Sequence, residues 1–327
     1  MKQDEIRDIA DTSELEPTFF NRTFEIVGHR KKMFIFTSIL VILGSLSLLI
    51  FKLNPGIDFT SGSRIEISAN ESLTTEKIEK ELAELGLEAK SIVISGDNND
   101  LAVTRYDTVL SKDDVADIQA HFKELYGMEP SVSVVSPIVG QELVKNAIYA
   151  LAIASVGMII YVTFRFELFF AITAILALLH DAFIMLAFFS FTRLEFDVTI
   201  VAAILTIIGY SINNTIVVFD RIRENVRFEG KITSFKRLAT IINRSLLQTF
   251  NRSFNTTITT IIAVVSFLVL GAESISSFSI ALLVGLIAGF YSSLLLAAQL
   301  WLVWRGKKLK EKPLDFTKKK RVEGPQV

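Results

Sequence analysis

Long apolar runs alternate with charged segments along this chain of 327 residues. Six of the runs are long and apolar enough to cross about 30 Å of hydrocarbon. The predicted membrane spans cover residues 33–51, 143–164, 168–190, 198–219, 256–272 and 278–304. The first run begins some thirty residues into the chain and lacks a small-residue cleavage site, so we interpret it as a retained anchor and not as a signal peptide.

A different pattern fills residues 52–142, between the first two predicted spans. Extended stretches are predicted at 57–68, 89–95, 101–106 and 131–135, and helical periodicity at 75–85 and 112–126. Gly96 and the acidic cluster at 97–100 supply a hairpin turn between the middle strands. The order β-α-β-β-α-β predicts a ferredoxin-like split βαβ domain, in a fold class of polytopic α-helical membrane proteins.

Composition supports the membrane assignment and charge suggests an orientation. Half of the residues are hydrophobic and the mean hydropathy is +0.45, values typical of an integral membrane protein. Lys and Arg concentrate before span one, between spans two and three, between spans four and five, and after span six. Because basic residues near span ends favour the cytoplasm, we expect both termini to be cytoplasmic and residues 52–142 to be extracytoplasmic.

The predicted organisation therefore has five parts. They are a cytoplasmic N-terminal segment (1–32), transmembrane helix 1 (33–51), the extracytoplasmic ferredoxin-like domain (52–142), transmembrane helices 2–6 (143–304) and a basic cytoplasmic tail (305–327). In residues 52–145, acidic side chains outnumber basic ones about two to one. We expect anionic lipid to bind the basic tail, and nucleic acid is not an expected partner because the basic stretches are juxtamembrane and lack interleaved aromatic residues.

The sequence lacks the motifs that are typical of several kinds of chemistry. The chain has no cysteine, which excludes disulfides and thiol chemistry. It also has no Walker loop, HExxH or GxSxG motif, so we expect neither an ATPase nor a zinc protease or serine hydrolase of the usual kinds. No cofactor and no metal site are expected, and any energy must come from a gradient or a partner.

Polar groups inside the apolar spans are the candidate functional residues. The fourth span carries GYSINNTIVVFDRIREN at 209–225, and Asp181 follows His180 inside span three. A charge at the bilayer centre costs about 2.5–3.5 kcal/mol on insertion scales, so such groups tend to line pathways or buried contacts. Asp181 is the clearest carboxylate within a span, and His180 is either a proton relay or a hydrogen-bonded packing side chain.

Five separated motifs resemble the SecF family, the smaller of the paired SecD and SecF subunits that assist the bacterial Sec protein-export translocon. They are GIDFTSG (56–62), SPIVGQEL (136–143), LLHDAF (178–183), AAILTIIGYSINNTIVVFDRIREN (202–225) and QTFNRSFNTTITT (248–260). The resemblance implies half of an RND-type bundle, with a SecD partner supplying six more spans. It also implies the SecYEG channel, a YidC-type insertase and unfolded preprotein as partners, and the bacterial cytoplasmic membrane as location.

One departure from the family pattern concerns proton coupling. The pair after GYSI is usually Asn-Asp in this family, and that Asp resembles the proton-coupling carboxylate, but here the pair is Asn213 and Asn214. An amide does not titrate in the relevant pH range. Asn214 is therefore either an inactivating substitution or a variant that leaves coupling to Asp181 and to the carboxylate of the partner.

Other motif residues keep two interpretations each. Arg252, in the NRS sequence, resembles a functional position close to the fourth-span site, or it is a snorkelling interfacial arginine. Asp220 and Arg221 lie at a helix end, where topology and salt bridging compete with proton transfer. In the motif that begins at Gly56, Asp58 and Gly62 form either a turn with a capped backbone or a functional site. Pro137 and Gly140 predict a rigid joint or a hinge at the entry to span two.

The resemblance implies that the chain promotes preprotein export with SecD by using the proton gradient. A non-transporting scaffold within the translocon is the first alternative, and an RND-type small-molecule transporter is the second. We expect a domain of about 90 residues between spans one and two to be too small to form a substrate-binding porter alone. A separate chain implies a split SecD and SecF arrangement, or a half excised from a fused protein.

Overall fold

A computed structural model describes residues 25–96, 98–271, 275–309, 311 and 313–316. Residues 1–24 of the predicted N-terminal segment, Asp97 of the predicted turn and the tail from residue 317 lie outside the described residues. The described part contains six helices that are long and apolar enough to cross a membrane. This confirms the prediction of a polytopic helical membrane protein.

The elements are numbered here in chain order. The helices are α1 (Arg30–Ile50), α2 (Ile57–Thr60), α3 (Thr75–Glu84), α4 (Lys112–Tyr126), α5 (Pro137–Arg165), α6 (Leu168–Thr192), α7 (Val198–Glu229), α8 (Phe235–Leu270), α9 (Ser276–Tyr291) and α10 (Ala298–Lys307). The strands are β1 (Asn54–Pro55), β2 (Gly62–Ser68), β3 (Ser91–Ser95), β4 (Leu101–Tyr106), β5 (Ser131–Val135) and β6 (Glu195–Phe196). A π-helical segment, Ser292–Ala297, joins α9 to α10, so the sixth span is one continuous helix.

Two spanning helices extend well beyond their predicted bounds. Helix α7 continues to Glu229 instead of residue 219, and α8 begins at Phe235 instead of residue 256. The extensions are amphipathic, since Ile222 and Val226 of α7 and Leu238 of α8 are fully buried. Tertiary packing of one apolar face stabilises these turns. A hydropathy window does not detect them, because they contain many charged residues.

The bundle has an inner and an outer set of helices. Helices α6, α7 and the sixth span bury about half of their most apolar windows within the chain, whereas α1, α5 and α8 bury far less. Phe170 of α6 stacks on Trp301 of α10 with ring centroids 4.2 Å apart, at the centre of the buried cluster. Large apolar faces of α5 and α8 are therefore left for lipid or for another chain.

The α/β domain between α1 and α5 forms a four-stranded antiparallel sheet in the order β3-β4-β2-β5. Its core joins strand residues Ile65 and Ile67 to Ile78 of α3 and Phe122 of α4. Helix α4 begins with a capping box, in which hydrogen bonds from Ser111 lower the pKa of the Asp114 carboxyl. The element order is β-α-β-β-α-β as expected, while the ferredoxin-like relationship stays a prediction.

The predicted extended stretch at 57–68 is wrong for its first four residues. Ile57–Thr60 form the short helix α2, in which Ser61 N donates to Ile57 O (2.8 Å) and the Thr60 hydroxyl donates to Gly56 O (3.0 Å). Strand β2 begins at Gly62, which has φ +131°. A Cβ on Gly62 would lie 2.2 Å from the carbonyl oxygen of Tyr106, so the β2–β4 pairing requires glycine here.

We expect Gly62→Ala to lower the free energy of unfolding of the α/β domain by at least about 2 kcal/mol, through backbone strain and the clash with Tyr106. Thermal unfolding of the full chain in detergent measures the loss. Gly86→Ala is the matched control, because Gly86 also has positive φ but faces open space; its cost should be about 1 kcal/mol. Equal losses at the two positions would contradict the argument.

Candidate functional site

Asp181 lies at the centre of the helical bundle and is fully buried. Its Oδ2 accepts hydrogen bonds from the Ser211 hydroxyl of α7 (2.5 Å) and from the Ser292 hydroxyl of the π segment (2.8 Å). A Cβ on Gly289 would lie 3.2 Å from Ser211 Cβ and 3.6 Å from Asp181 Oδ2, so this glycine lets α9 approach closely. Three spanning helices thus meet at one carboxylate.

His180 is the immediate neighbour of this carboxylate. Its Nδ1 lies 3.2 Å from Asp181 Oδ1, and its buried Nε2 has no hydrogen-bond partner among the described residues. The ring lies 6.1 Å, between centroids, from Tyr291, whose hydroxyl is 2.6 Å from the Thr37 hydroxyl of α1. The relay and packing interpretations of His180 are both compatible with this geometry.

Two further hydroxyl groups lie along α7, next to the serine that binds the carboxylate. The Thr215 hydroxyl donates to Ser293 Oγ (3.1 Å), and Ser293 Oγ donates to the carbonyl oxygen of Ser211 (3.2 Å). Both serines at 292 and 293 belong to the π segment, and π-helical turns are rare and frequent at functional sites. The sequence analysis missed these hydroxyl groups; paired serines within an apolar run were the available signal.

The two asparagines after GYSI lie in different surroundings. Asn214 is buried, and its Nδ2 has no hydrogen-bond partner among the described residues. It follows Ser211 by three positions, so both lie on one side of α7. Asn213 is exposed on the outside of the chain.

Arg252 lies on α8 and is exposed. Among the residues that the structure describes, its side chain makes no hydrogen bond or ion pair. The exposed polar residues Asn255, Thr256 and Thr259 share its helix face at intervals of three and four. The structure therefore does not bring the guanidinium to Asn214 within this chain, and the polar stripe of α8 (Arg252, Asn255, Thr256, Thr259) faces outward.

Asp220 and Arg221 form contacts at the end of α7 that is remote from the α/β domain. Asp220 Oδ2 accepts from Arg165 Nη2 of α5 at 2.9 Å. Arg221 donates to Gln248 Oε1 of α8 (2.6 Å) and to Glu224 Oε2 (2.7 Å). These partly exposed side chains link three helices.

The GIDFTSG motif joins the α/β domain to the start of α7. Strand β1 pairs in parallel with β6, and the Gly56 amide donates to the carbonyl oxygen of Phe196 (2.9 Å). Asp58 Oδ2 accepts from the Val198 amide, the first residue of α7, at 3.0 Å. A carboxylate at a helix N-terminus satisfies a free N–H and complements the helix dipole.

Arg105 of β4 reinforces this junction from the sheet. Its guanidinium donates to Glu195 Oε1 of β6 (3.1 Å), to the Pro55 carbonyl (2.6 Å) and to Thr60 Oγ1 (3.2 Å). The side chain is only 9 % exposed. The residues Asn54, Pro55, Gly56, Asp58, Arg105, Glu195, Phe196 and Val198 are called the domain clamp below. Sequence reasoning missed Arg105 and Glu195; a lone arginine in the strand LAVTRY was the available signal.

The residues of the SPIVGQEL motif lie beside the domain clamp. Pro137 opens α5, where Ser136 Oγ accepts from the Val139 amide (3.4 Å). A Cβ on Gly140 would lie 3.4 Å from the carbonyl oxygen of Asp58. The first turn of α5 therefore packs against α2, close to the residue that caps α7.

Two protein-family profiles match the chain. One is described as "Protein export membrane protein SecD/SecF, C-terminal" and covers residues 115–307; the other is the "SecD/SecF GG Motif" and covers residues 46–72. The protein translocase subunit SecF of Alicyclobacillus acidocaldarius is 36% identical over 293 residues, which is 88% of this chain and 95% of that protein. The protein translocase subunit SecDF of Bacillus subtilis is 52% identical over 307 residues, or 94% of this chain and 42% of that protein.

Solved structures of SecDF resemble the fold. The crystal structure of SecDF from Thermus thermophilus, a translocon-associated membrane protein, has a TM-score of 0.78 and 30% sequence identity. The match covers 92% of this chain and 41% of that one. A SecDF crystal structure in a super-membrane-facing form has a TM-score of 0.64 and 28% identity. This chain thus spans about two fifths of the SecDF proteins that it matches.

Proposed function

The chain belongs to the SecD/SecF family of protein export membrane proteins, and from that premise we propose that it couples the proton motive force to preprotein export, together with a SecD partner. It is a multi-pass membrane protein and a component of a translocase. The proposal places it in the bacterial cytoplasmic membrane, beside the SecYEG channel and a YidC-type insertase. It acts there as a transport component and not as an enzyme.

The observation that carries the proposal is the fully buried carboxylate of Asp181, bound by hydroxyl groups from two other elements. A charged carboxylate only accepts hydrogen bonds, whereas a protonated one also donates. Proton uptake would therefore change the hydrogen bonds to Ser211 and Ser292 together. Because groups in a low-dielectric interior interact strongly, such a change would favour a different packing of α6, α7 and the π segment.

The domain clamp provides a route from this site to the α/β domain. Ser211 lies on the same helix as Val198, whose amide is held by Asp58. A shift of α7 would thus be transmitted through β6 and Arg105 to the sheet. The domain would hold or pull an emerging unfolded preprotein and limit its backsliding.

The uncovered faces of α7 and α8 support a SecD partner at membrane depth. Arg252 and the rest of the polar stripe of α8 are exposed, as is Asn213 of α7. Polar groups in a membrane span favour protein partners over lipid. We propose that the SecD helices cover these residues and bring a carboxylate towards Arg252, while anionic lipid binds basic residues at the cytoplasmic side.

Export in cells tests the proposal. Cells that lack their own SecF would receive this chain with its matching SecD, and preprotein export would be measured with and without a protonophore. We expect the assistance given by the chain to disappear when the gradient collapses. Assistance of equal size without a gradient would instead support the non-transporting scaffold, which Asn214 favours because an amide carries no titrating proton.

We expect Asn214→Asp to increase gradient-dependent export, because it places a second titratable group on the α7 face that carries Ser211. The measurement is the rate of preprotein export in the same cells, compared with the unaltered chain. Asn213→Asp is the matched control, since it adds the same charge at the exposed neighbouring position. If neither variant increases export, we would assign proton coupling to Asp181 or to the partner.

A further inference from the structure

His180 is a buried titratable group beside the carboxylate of Asp181. Its side chain is 6% exposed, its Nδ1 lies 3.2 Å from Asp181 Oδ1, and its Nε2 has no hydrogen-bond partner among the described residues. A neutral imidazole carries one N–H donor and one acceptor nitrogen. Because an unpaired buried polar atom is destabilising, a nitrogen of this kind at membrane depth indicates a functional role.

Polar groups continue from His180 along the contact between α1 and the sixth span. The ring of Tyr291 lies 6.1 Å from the His180 ring, between centroids, and its hydroxyl is 2.6 Å from the Thr37 hydroxyl. The Tyr291 and Thr37 hydroxyl groups also donate to the carbonyl oxygen of Met33, at 3.2 and 3.0 Å. These bonds fix the Tyr291 hydroxyl close to α1.

The polar contact extends towards the end of the bundle that is remote from the α/β domain. Gln299 of α10 is fully buried, and its Nε2 lies 2.8 Å from Met33 Sδ. Its Oε1 has no hydrogen-bond partner among the described residues. Met33 lies about one turn from Arg30, where α1 begins. The side chains of His180, Tyr291 and Gln299 are called the polar seam below.

We propose that His180 accepts the proton of Asp181 and passes a proton to water held in the polar seam, which is the route by which protons leave the bundle. A buried water molecule needs two to four polar partners, and His180 Nε2, the Tyr291 hydroxyl and Gln299 Oε1 supply them. The proposal deepens the proposed function and rests on it, because it adds a path to the carboxylate.

The proton transfer occurs through the two nitrogens of the imidazole. Nδ1 binds the proton from Asp181 Oδ1 while Nε2 releases its own proton to water, so the carboxylate becomes charged and the imidazole stays neutral. The imidazole is then left with its hydrogen on Nδ1. Exchange with water during a rotation of the ring restores the first tautomer before the carboxylate is protonated again.

Proton flux into proteoliposomes tests the role of His180 without reference to export. The chain would be reconstituted with its SecD partner, with a pH-sensitive dye inside the vesicles and a potassium diffusion potential as the driving force. We expect His180→Asn to lower the flux at least about tenfold. The amide nitrogen of asparagine can replace Nδ1 and keep the bond to Asp181, but an amide does not relay a proton. Unchanged flux in this variant, or an unaltered chain that carries no proton flux, would overturn the proposal.

Tyr291→Phe and Thr37→Val distinguish a proton route from helix packing. Both variants remove the hydrogen bond between α1 and the sixth span, but only the first removes the hydroxyl beside His180. We expect Tyr291→Phe to lower the flux at least about tenfold. The loss in Thr37→Val should stay below about threefold, as for one hydrogen bond. Equal losses would assign both residues to packing and overturn the proposal.

Ser47→Ala is the matched control within the same helix pair. Ser47 Oγ donates to Ser190 Oγ at 3.1 Å, and this buried hydroxyl pair joins α1 to α6 near the other end of α1. Because it lies outside the polar seam, the flux of Ser47→Ala should stay within about twofold of the unaltered chain. A tenfold loss would show that any loosened contact of α1 blocks the flux, which would overturn the route.

Export by the same variants separates this proposal from the proposed function. If His180→Asn and Tyr291→Phe retain full proton flux and gradient-dependent export, the route is overturned and the coupling remains supported. If both variants lose proton flux while export by the unaltered chain persists without a gradient, the route is supported and the coupling to export is refuted.

Discussion

Asp181→Asn is expected to abolish gradient-dependent export while the chain still folds and inserts. Asparagine has nearly the same volume and keeps one oxygen that can accept from Ser211 or Ser292, so packing of the three helices is preserved. It cannot bind or release a proton. We expect export to fall at least about tenfold, to the level seen without a gradient, as for loss of one essential proton-transfer group.

The measurement is the export rate with and without a protonophore, alongside the amount of chain in the membrane. Asp220→Asn is the matched control, because Asp220 is a partly exposed carboxylate paired with Arg165 at the end of α7; surface ion pairs contribute little. Full gradient-dependent export by Asp181→Asn would contradict the role of this carboxylate. A loss of equal size in both variants would show that charge at either site matters generally.

Arg105→Ala is expected to uncouple the α/β domain from the bundle. The substitution removes three hydrogen bonds, two within the domain clamp and one to Thr60, and leaves Glu195 without its 3.1 Å partner. Charged hydrogen bonds of this kind are worth about 1.5–3 kcal/mol each, so we expect both a lower unfolding temperature and a severe loss of export. Limited proteolysis of the β1 and β6 region measures the opening of the junction.

Lys90→Ala serves as the control for this substitution. Lys90 lies just before β3 in the same domain, and its ion pair with Asp107 is more than half exposed on both sides. Its removal should change stability by less than about 1 kcal/mol. If Arg105→Ala opened the junction without reducing export, the clamp would hold the domain but would not transmit movement.

The spans and the domain elements could be predicted because their patterns are local. Strands β4 and β5 and helix α4 have the predicted bounds, since turn residues and periodicity decide them within a few positions. The short helix α2 was missed, because the backbone bonds of Ile57–Thr60 depend on contacts with β1 and α5. The long N-terminal extension of α8 was missed because its stability comes from burial against α7.

The candidate site was only partly predictable. Asp181 and Asn214 stand out as polar residues within apolar runs, so hydropathy alone finds them. The hydroxyl partners of Asp181 come from residues 30 and 111 positions away, and sequence does not show which faces of three helices meet. Arg252 shows the opposite limit, since its motif marks it as a candidate but its guanidinium contacts no polar group among the described residues.

Helix α7 can act as a lever with its fulcrum near the buried carboxylate. Its 32 residues correspond to roughly 48 Å, and about 20 Å of that separates Ser211 from Val198. A tilt of about 10° at the carboxylate would move the Val198 end by roughly 3 Å. This distance is comparable to the length of a hydrogen bond. A small rearrangement around one proton would thus become a movement of about 3 Å at the junction with the α/β domain.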